Sequence, residues 1–361
     1  MKKIYTIVAL LILINACGIE TESKENKDLN KPKNVILLIG DGMGVTQIYA
    51  AMSLAQEKLN IERFKIVGFH KTYSASNYVT DSGAGGTALA TGIKTKNKHI
   101  SVDSLGVKLK TILEYAEDNN LATGMVTTSA ITHATPASFI AHENSRYNYE
   151  NIAKDFLDTD IDIFIGGGKD NFEKRKDKLN LLDSLKAKNY TVIDGYENFK
   201  PESKGKFAVF TAPKHNPKMS EGRGDMLPVS TEKAIAFLNQ NEKGFFLMIE
   251  GSQIDWGGHD NDIDYVNSEL IDFDKAIAKA LDFAQKDGET LVIVTADHET
   301  GGLSLVDGDI GGKQIEAKFS TTDHSGVMVP VFAFGPGAEC FGGIYQNTDV
   351  FHKMISALNL K

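Results

Sequence analysis

The sequence predicts a three-layer α/β/α sandwich built on a large, mostly parallel central sheet. From residue 34 onward, short apolar runs rich in β-branched residues alternate with longer amphipathic or polar stretches. Strands separated by helices favour parallel pairing, and the helices then cover both faces of the sheet. With 361 residues, of which 42% are hydrophobic, the chain is long enough to bury such a core.

Seven apolar runs are predicted strands, and three amphipathic stretches are predicted helices. The strands are expected at Val35–Ile39, Thr123–Thr127, Ile161–Ile165, Phe207–Thr211, Phe245–Ile249, Leu291–Thr295 and Val329–Phe334. The helices are expected at Leu109–Asn119, Thr231–Gln240 and Glu269–Lys286. Two polar segments are expected at the surface, Lys169–Lys188 as a solvated helical excursion and Lys200–Gly224 as a loop.

The N-terminal segment is predicted to direct export rather than to join the fold. A positively charged start precedes the apolar run Ile4–Ile14, and a small-residue cleavage site ends at Cys17. This pattern is typical of a bacterial lipoprotein signal; the alternative is an ordinary secretory signal with a chance cysteine. We expect residues 1–16 to be removed, residues 17–32 to form a lipidated tether, and residues 33–361 to form one domain. The expected location is a membrane surface, in the periplasm or outside the cell.

Charge and cysteine content narrow the possible partners. A formal net charge of −9 argues against a nucleic-acid-binding surface, which needs a basic footprint. Small anionic ligands remain compatible, because bound cations and one arginine can meet their charge locally. If Cys17 is acylated, Cys340 is the one cysteine left, so we expect no intrachain disulfide.

Potential metal ligands follow three of the predicted strands. Asp41 comes shortly after the first strand, Glu250 directly after the fifth, and Asp297 with His298 after the sixth. In an open α/β sheet, ligands gather at the carboxyl ends of the strands. We therefore expect these side chains to converge on one edge of the sheet.

Further ligands are spaced for one helical turn or lie near the last strand. Asp255 and His259 are four residues apart, so a turn of helix would direct both at one ion. His324 comes shortly before the seventh predicted strand. Aspartates and histidines together suit zinc, whereas Glu250 with an aspartate and a hydroxyl such as that of Thr135 suits magnesium.

Ser82 is a candidate nucleophile. It precedes a run of glycines and alanines that permits a closely packed helix beginning at the serine. Backbone amides at a helix N-terminus favour a phosphate beside the hydroxyl, although Ser82 could instead simply cap the helix. No histidine lies in the local motif, so a metal ion is the simplest activator of the hydroxyl.

Seven motifs in this order resemble those of the alkaline phosphatases. They are Asp41–Gly44, Thr80–Ala84, His133–Pro136, Ser145–Arg146, Glu250–His259, Thr295–Glu299 and Asp323–Gly326. The resemblance extends from residue 33 to the C-terminus and implies a catalytic domain that hydrolyses small phosphate monoesters through a phosphoserine. It also implies a homodimer. The compact bacterial type is expected, since the chain between His298 and His324 is too short for the large insertion of longer relatives.

The resemblance implies two zinc ions and one magnesium ion. It assigns Asp255, His259 and His324 to one zinc, Asp41, Asp297 and His298 with Ser82 to the second, and Asp41, Thr135 and Glu250 to magnesium. Arg146 would bind the phosphate. His133 stands where some relatives have aspartate and would lie beside the magnesium ligands, while Trp256 stands where some have lysine or histidine and would contact the substrate. The remaining histidines are interpreted as structural or surface residues: His70, His99, His142, His215 and His352.

Other functional classes remain open at this stage. A phosphodiesterase or a sulfatase of the same superfamily would share the paired zinc ligands. The sulfatase hypothesis requires a Cys/Ser-x-Pro-x-Arg motif, and the residues after Ser82 contain neither proline nor arginine there. A surface lipoprotein that only binds metal or phosphate would explain the signal and the ligands, but it would give the serine no role.

Overall fold

A computed structural model describes residues 31–309 and 314–361 of the chain. The predicted signal of residues 1–16, Cys17, and all but the last two residues of the predicted tether at 17–32 lie outside the described residues. The part from Lys31 to Lys361 forms one compact unit. Within the described ranges, no helix combines the length and the apolar character needed to cross a bilayer.

Strands and helices alternate along the described part of the chain. The strands are β1 (Asn34–Gly40), β2 (Ile66–Lys71), β3 (Ala122–Ala130), β4 (Ile163–Gly167), β5 (Tyr190–Asp194), β6 (Lys206–Phe210), β7 (Phe245–Gly251), β8 (Thr290–Thr295), β9 (Glu299–Thr300), β10 (Leu303–Asp309), β11 (Gln314–Phe319), β12 (His324–Ser325), β13 (Val329–Phe334) and β14 (Gly343–Gln346). The α-helices are α1 (Val45–Leu54), α2 (Ser82–Thr91), α3 (Ile112–Asp118), α4 (Ala134–Ala137), α5 (Tyr149–Asp155), α6 (Asp170–Glu173), α7 (Leu181–Ala187), α8 (Met226–Leu238), α9 (Gln253–His259), α10 (Ile263–Asp287) and α11 (Asn347–Leu358).

One large sheet organises the fold. Its ten strands lie in the order β14-β2-β13-β8-β1-β7-β3-β4-β6-β5. β13 pairs antiparallel with β2 and β8, and the other pairings in this sheet are parallel. Two small antiparallel pairs, β10 with β11 and β9 with β12, lie outside it. The prediction of a large, mostly parallel sheet is confirmed.

Both faces of this sheet are buried. Along β1, Leu37 belongs to one hydrophobic cluster and Leu38 to a second, because successive side chains point to opposite faces. Residues of α2, α3 and α11 complete the first cluster, and residues of α1, α8 and α10 complete the second. The molecule therefore has the three predicted layers.

The pairing register brings the ends of the central strands level with one another. Ile39 of β1 lies opposite Glu250 of β7 on one side and opposite Thr295 of β8 on the other. Asp41 directly follows β1, and Asp297 comes two residues after Thr295. Three carboxylates separated widely in sequence thus reach the same edge of the sheet.

All seven predicted strands and all three predicted helices are present. The strand Val329–Phe334 has the predicted bounds, and the bounds of the other elements are shifted. Of the strands in the large sheet, the sequence missed β2, β5 and β14, which lack a continuous apolar run because part of each strand is exposed. It also missed the two small pairs, β9 with β12 and β10 with β11. The helix predicted from Glu269 begins earlier, at Ile263, where the side chain of Asp262 caps the backbone amides of the first turn.

Two predictions about polar segments need correction. The excursion Lys169–Lys188 is helical as predicted, but it is not fully solvated, because Phe172 and Leu185 are buried in the core. The interpretation of Lys200–Gly224 as a surface loop is wrong, since β6 lies within it and Arg223 is buried. Because both segments are rich in charged residues, the sequence pattern did not indicate the side chains that are buried through contacts with distant parts of the chain.

A buried ion cluster fastens the end of that segment to α10. The guanidinium of Arg223 donates from Nη2 to Glu269 and, over 2.9 Å, to Oδ2 of Asp272. Glu269 also accepts a hydrogen bond of 2.9 Å from the backbone amide of Met219. Burial raises the pKa of Glu269 and of Asp272, and Arg223 opposes that shift. Two buried carboxylates therefore depend on one cation.

Replacing Arg223 with alanine is expected to lower the free energy of unfolding by about 3–5 kcal/mol at pH 8, because both carboxylates lose their buried partner. Without the arginine their folded-state pKa rises further above the unfolded value, so the folded state takes up protons more readily as the pH falls. The stability deficit should therefore shrink between pH 8 and pH 5. Urea unfolding of the wild type and the variant at both pH values measures it.

Lys279→Ala provides the matched control. Lys279 of α10 also forms an ion pair, with Glu232 of α8 at 2.8 Å, but both side chains are substantially exposed. Its loss should cost about 0–1 kcal/mol. If Arg223→Ala cost no more than Lys279→Ala, the buried cluster would not contribute to stability in the way described.

Candidate active site

The predicted metal ligands meet at the carboxyl edge of β1, β3, β7 and β8. Three groups of side chains each place one potential ligand atom per residue within 4.8 Å of the others. The groups are Asp255 with His259 and His324, Asp41 with Asp297 and His298, and Asp41 with His133 and Glu250. The structure thus brings together residues from opposite ends of the chain, as the strand-end pattern predicted.

The first group joins α9 to β12. Asp255 and His259 lie one helical turn apart on α9, and Nε2 of His259 is 3.4 Å from Oδ2 of Asp255 and 3.2 Å from Nε2 of His324. Nδ1 of His259 is 2.7 Å from the carbonyl of Thr322, and Nδ1 of His324 is 2.8 Å from that of Thr80. When each Nδ1–H donates to its carbonyl, each Nε2 lone pair is left for an ion.

The second group is fully buried. Nε2 of His298 lies 3.4 Å from Oδ1 of Asp41 and 3.3 Å from Oδ2 of Asp297. Burial lowers the pKa of His298 well below its usual value, so the ring is neutral. Oγ of Ser82 is 3.2 Å from the same nitrogen. The predicted nucleophile therefore lies directly beside the predicted second zinc ligands.

The third group includes a histidine that the sequence placed outside the direct ligands. His133, the residue before α4, shares the group with Asp41 and Glu250. Its Nδ1 is buried and has no hydrogen-bond partner among the described residues. Thr135 Oγ1 donates to Oδ2 of Asp41 over 3.3 Å, so the predicted hydroxyl also lies at this position.

Sequence reasoning missed the hydroxyls that surround Glu250. Its Oε2 accepts hydrogen bonds from Ser252 over 2.6 Å, from Ser129 over 3.2 Å, and from Thr127. Thr127 and Ser129 belong to the polar end of β3, which the predicted strand did not include beyond Thr127. These donors hold one carboxylate oxygen, while Oε1 has no hydrogen-bond partner among the described residues.

The electrostatics of the site fit divalent cations. Asp41 Oδ1, Glu250 Oε1 and Asp297 Oδ2 are buried oxygens for which the described residues provide no hydrogen-bond donor. Burial and the neighbouring carboxylates raise the pKa of Asp41 well above its usual value and that of Asp297 to about 7. Unpaired anionic oxygens at close range are costly in a dry environment. Cations shared by carboxylates and neutral imidazoles would remove that cost.

Ser82 is the first residue of α2, and the residue before it caps the helix. The side chain of Asp81 accepts a hydrogen bond of 3.0 Å from the backbone amide of Ala84. The alternative that Ser82 is itself the cap is therefore wrong. The small residues after it are required by packing, since a Cβ on Gly85 would approach the backbone carbonyl of Asp297 to 3.1 Å.

Arg146 is held on two sides. Its Nη1 donates to Oδ2 of Asp81 over 3.0 Å, and its Nη2 is 3.4 Å from Nε2 of His133. The other oxygen of Asp81 accepts the backbone amide of Lys98, whose carbonyl in turn accepts the backbone amide of Arg146. Asp81 therefore fixes both the arginine and the start of α2, a role that the sequence motif did not reveal.

Part of the site lines one cavity of about 560 Å³. Ser82, Arg146 and Trp256 lie on its wall together with Asp255, His259 and His324. The predicted substrate-contacting tryptophan is thus at the cavity with the predicted nucleophile and the predicted phosphate-binding arginine. A volume of this size accommodates a small organic phosphate.

Comparisons with known proteins agree with this geometry. The family model for alkaline phosphatase matches residues 32–317 and 309–360. Alkaline phosphatase 3 of Bacillus subtilis is 36% identical, over 94% of this chain and 92% of that protein. The alkaline phosphatase of the Antarctic bacterium TAB5 is 46% identical, and its structure gives a TM-score of 0.88 over 91% of this chain and 99% of that one.

A mutant of the TAB5 enzyme in which aspartate replaces a histidine has been solved with Mg bound in its M3 site. It is 45% identical to this chain, with a TM-score of 0.88 over 92% of this chain and 99% of that one. The matches span nearly the whole of the described fold, including the edge of the sheet where the ligands converge. The chain belongs to the alkaline phosphatase family and is a metal-binding phosphoric monoester hydrolase.

Proposed function

We propose that the chain hydrolyses small phosphate monoesters through a covalent phosphoserine on Ser82. The observation that carries this proposal is the position of the Ser82 hydroxyl. It lies at the start of α2, 3.2 Å from the buried His298, in the cavity that Arg146 also lines. A hydroxyl placed among cation ligands and opposite an anion-binding group suits attack on phosphorus.

Two zinc ions and one magnesium ion are proposed as cofactors. Their ligands would be Asp255, His259 and His324 for one zinc, Asp41, Asp297 and His298 with Ser82 for the second, and Asp41, Thr135 and Glu250 for magnesium. When bound, such ions supply positive charge that favours deprotonated hydroxyls and stabilises a departing oxygen. The buried, unpaired carboxylate oxygens of the site support this assignment.

The residues of the chain support two successive displacements at phosphorus. Ser82 Oγ forms a bond to phosphorus as the bond between phosphorus and the ester oxygen breaks, and the proton lost by the serine ends on the departing alcohol. Water then attacks the phosphoserine, so that one water is consumed and inorganic phosphate is released. The backbone amides at the start of α2 favour the negative charge of the transferred group.

Arg146 is proposed to hold two non-bridging oxygens of that group. One N–H of Nη1 is directed to Asp81 and one of Nη2 to His133, so each terminal nitrogen retains a second N–H. A guanidinium with two free donors matches a phosphate bidentately. This arrangement favours a monoester over a diester, because the transferred group of a monoester carries more negative charge for the guanidinium to attract.

Of the three proposed ions, the one beside His133 has the identity that the residues of the chain determine least. Its imidazole shares a group with Asp41 and Glu250. The TAB5 variant solved with Mg in its M3 site has an aspartate in place of a histidine. Because imidazole is a softer ligand than carboxylate, zinc or cobalt is the alternative to magnesium at this position in the present chain. In that alternative the single lone pair of the neutral His133 ring would bind the ion and could not also accept from Arg146.

The proposed location and assembly rest on the sequence pattern and on family resemblance. Cys17 is proposed to carry lipid and to anchor an exported homodimer to a membrane surface. Incorporation of a labelled fatty acid that is lost in Cys17→Ala would support the anchor. Equal labelling of the wild type and of Cys17→Ala would refute it.

Ser82→Ala is expected to fold and to keep its metals, but to lose monoesterase activity by roughly 10³-fold or more, because the covalent route disappears. Acid-quenched reactions with a ³²P-labelled monoester should give labelled protein from the wild type and none from the variant. Ser53→Ala, which removes a hydroxyl bonded to the carbonyl of Tyr49 on α1, serves as the control. Activity of Ser82→Ala within about tenfold of the wild type would contradict the phosphoserine route.

Arg146→Ala is expected to weaken inhibition by inorganic phosphate and to lower kcat/KM for a monoester by about 10²-fold, since charge-assisted bidentate contacts are lost. The loss for a matched diester should be clearly smaller. Arg63→Ala removes an arginine paired with Asp282 at the surface and controls for a general loss of charge. An equal loss for both substrates would exclude the proposed contact with the transferred group.

Chelation is expected to abolish activity and to lower the melting temperature together, because cations that bind only the native state relieve the repulsion among the buried carboxylates. Zinc alone should restore part of the activity, and magnesium added afterwards should raise it further. Calorimetry and activity assays on the same dialysed samples follow both effects. Full activity and an unchanged melting curve in metal-free protein would refute the metal assignment.

A further inference from the structure

His215 lies beside the active site, although it belongs to the segment between β6 and α8 that the sequence placed at the surface. The backbone amide of Ala130, the last residue of β3, donates to Nδ1 of His215 over 3.0 Å. Its neighbour Asn216 is buried and donates from Nδ2 to the carbonyl of Thr128 over 3.2 Å. Gln253 of α9 donates to the carbonyl of Asn216 over 2.9 Å. The loop is therefore fastened to two of the elements that carry the site.

The ring of His215 packs against two residues of the cavity wall. Its centroid is 5.5 Å from that of His133 and 4.9 Å from that of Trp256, with interplanar angles of 86° and 88°. His133 and Trp256 are themselves 6.0 Å apart at 88°. The three rings thus form a mutually perpendicular cluster, an arrangement that aromatic groups prefer.

This cluster reaches the phosphate-binding arginine through one ring. Nε2 of His133 is 3.4 Å from Nη2 of Arg146. Because His133 can turn about its side-chain torsions only into space that its neighbours leave free, the ring of His215 limits those rotations. The hydrogen bond from Ala130 fixes the ring of His215 in turn, since an accepting Nδ1 must face that amide.

We propose that His215 is a positioning residue for Arg146, acting through His133. The ring of His215 keeps the imidazole of His133 against Nη2 of Arg146. This contact adds to the hydrogen bond that Nη1 of Arg146 donates to Asp81. The guanidinium is thereby held ready for two oxygens of the phosphoryl group. The inference rests on the proposed function, because the arginine needs this orientation only if it binds phosphate.

Three substitutions distinguish the effect of the His215 ring from the effect of its hydrogen bond. His215→Asn keeps an acceptor for the Ala130 amide but removes the ring, whereas His215→Phe keeps a ring but removes the acceptor. His215→Ala removes both. Each is compared with the wild-type holoenzyme for the inhibition constant of inorganic phosphate, for KM and kcat with a chromogenic phosphate monoester, and for the melting temperature. His352→Ala, at an exposed position, is the control.

The proposal requires that phosphate affinity depend on the presence of an aromatic ring at position 215. His215→Ala and His215→Asn should each raise the inhibition constant and KM by about fivefold, the size expected for one weakened hydrogen bond to a charged group, while kcat changes less than twofold. His215→Phe should bind phosphate within about twofold of the wild type, because packing between His133 and Trp256 still holds a ring in place without the hydrogen bond. Its melting temperature should nevertheless fall below that of His215→Asn, because the Ala130 amide loses its acceptor.

A double-mutant cycle tests the route through Arg146. In the Arg146→Ala background, His215→Ala should have no further effect on phosphate inhibition, because the group that it positions is gone. Additive effects would overturn the proposal. So would wild-type phosphate binding in His215→Asn, phosphate binding within twofold of the wild type in His215→Ala, or a parallel fall of kcat and melting temperature without a change in KM.

The outcome also separates this inference from the proposed function. A wild-type holoenzyme that is neither active on a monoester nor inhibited by phosphate would overturn both. If the wild type is active and inhibited by phosphate, but loss of the His215 ring does not change phosphate binding, only the positioning role is overturned.

Discussion

The close approach of four buried carboxylates at one edge of the sheet is the constraint on which the rest of the structure depends. Asp41, Glu250, Asp255 and Asp297 are each less than 5% exposed. Asp41 belongs to two groups of potential metal ligands, one with Glu250 and one with Asp297, and Asp255 belongs to a third. Such charges cannot be solvated by water there, and burial raises the pKa of Asp41, Glu250 and Asp297. Burial acts on Asp255 in the same way, but the neighbouring histidines bring its pKa below the usual value. The fold tolerates them because parallel strands impose the register and because cations can be shared among them.

Polar groups around this cluster orient the carboxylates without neutralising them. Hydroxyls of Thr127, Ser129 and Ser252 hold one oxygen of Glu250 and leave the other free. The backbone amide of His298 similarly donates to one oxygen of Asp297 over 3.0 Å, and the other oxygen has no partner in the described residues. Each carboxylate is therefore fixed in direction while keeping a lone pair available, as a preorganised cation site requires.

The sequence was sufficient to predict the framework and the convergence of the ligands, because both depend on strong local signals. Apolar runs mark the central strands, and residues directly after β1 and β8 must lie at the same edge. Strands near the periphery, such as β5, are half exposed and lack such a run. His215 could not be found in this way, since its contact with Ala130 spans 85 residues and belongs to no periodic pattern.

The two residues that contact the guanidinium of Arg146, Asp81 and His133, differ in charge, and the difference bears on the proposed phosphate binding. Asp81 is a carboxylate, and its attraction to the guanidinium offsets part of the positive charge that a phosphate would meet. Burial lowers the pKa of His133 well below its usual value, so its ring is neutral. A neutral acceptor fixes the second nitrogen without offsetting more charge. A carboxylate in place of His133 would hold the arginine more strongly, but the site would attract phosphate less. With one charged contact and one neutral contact, the guanidinium is oriented on both sides while most of its attraction for phosphate is kept.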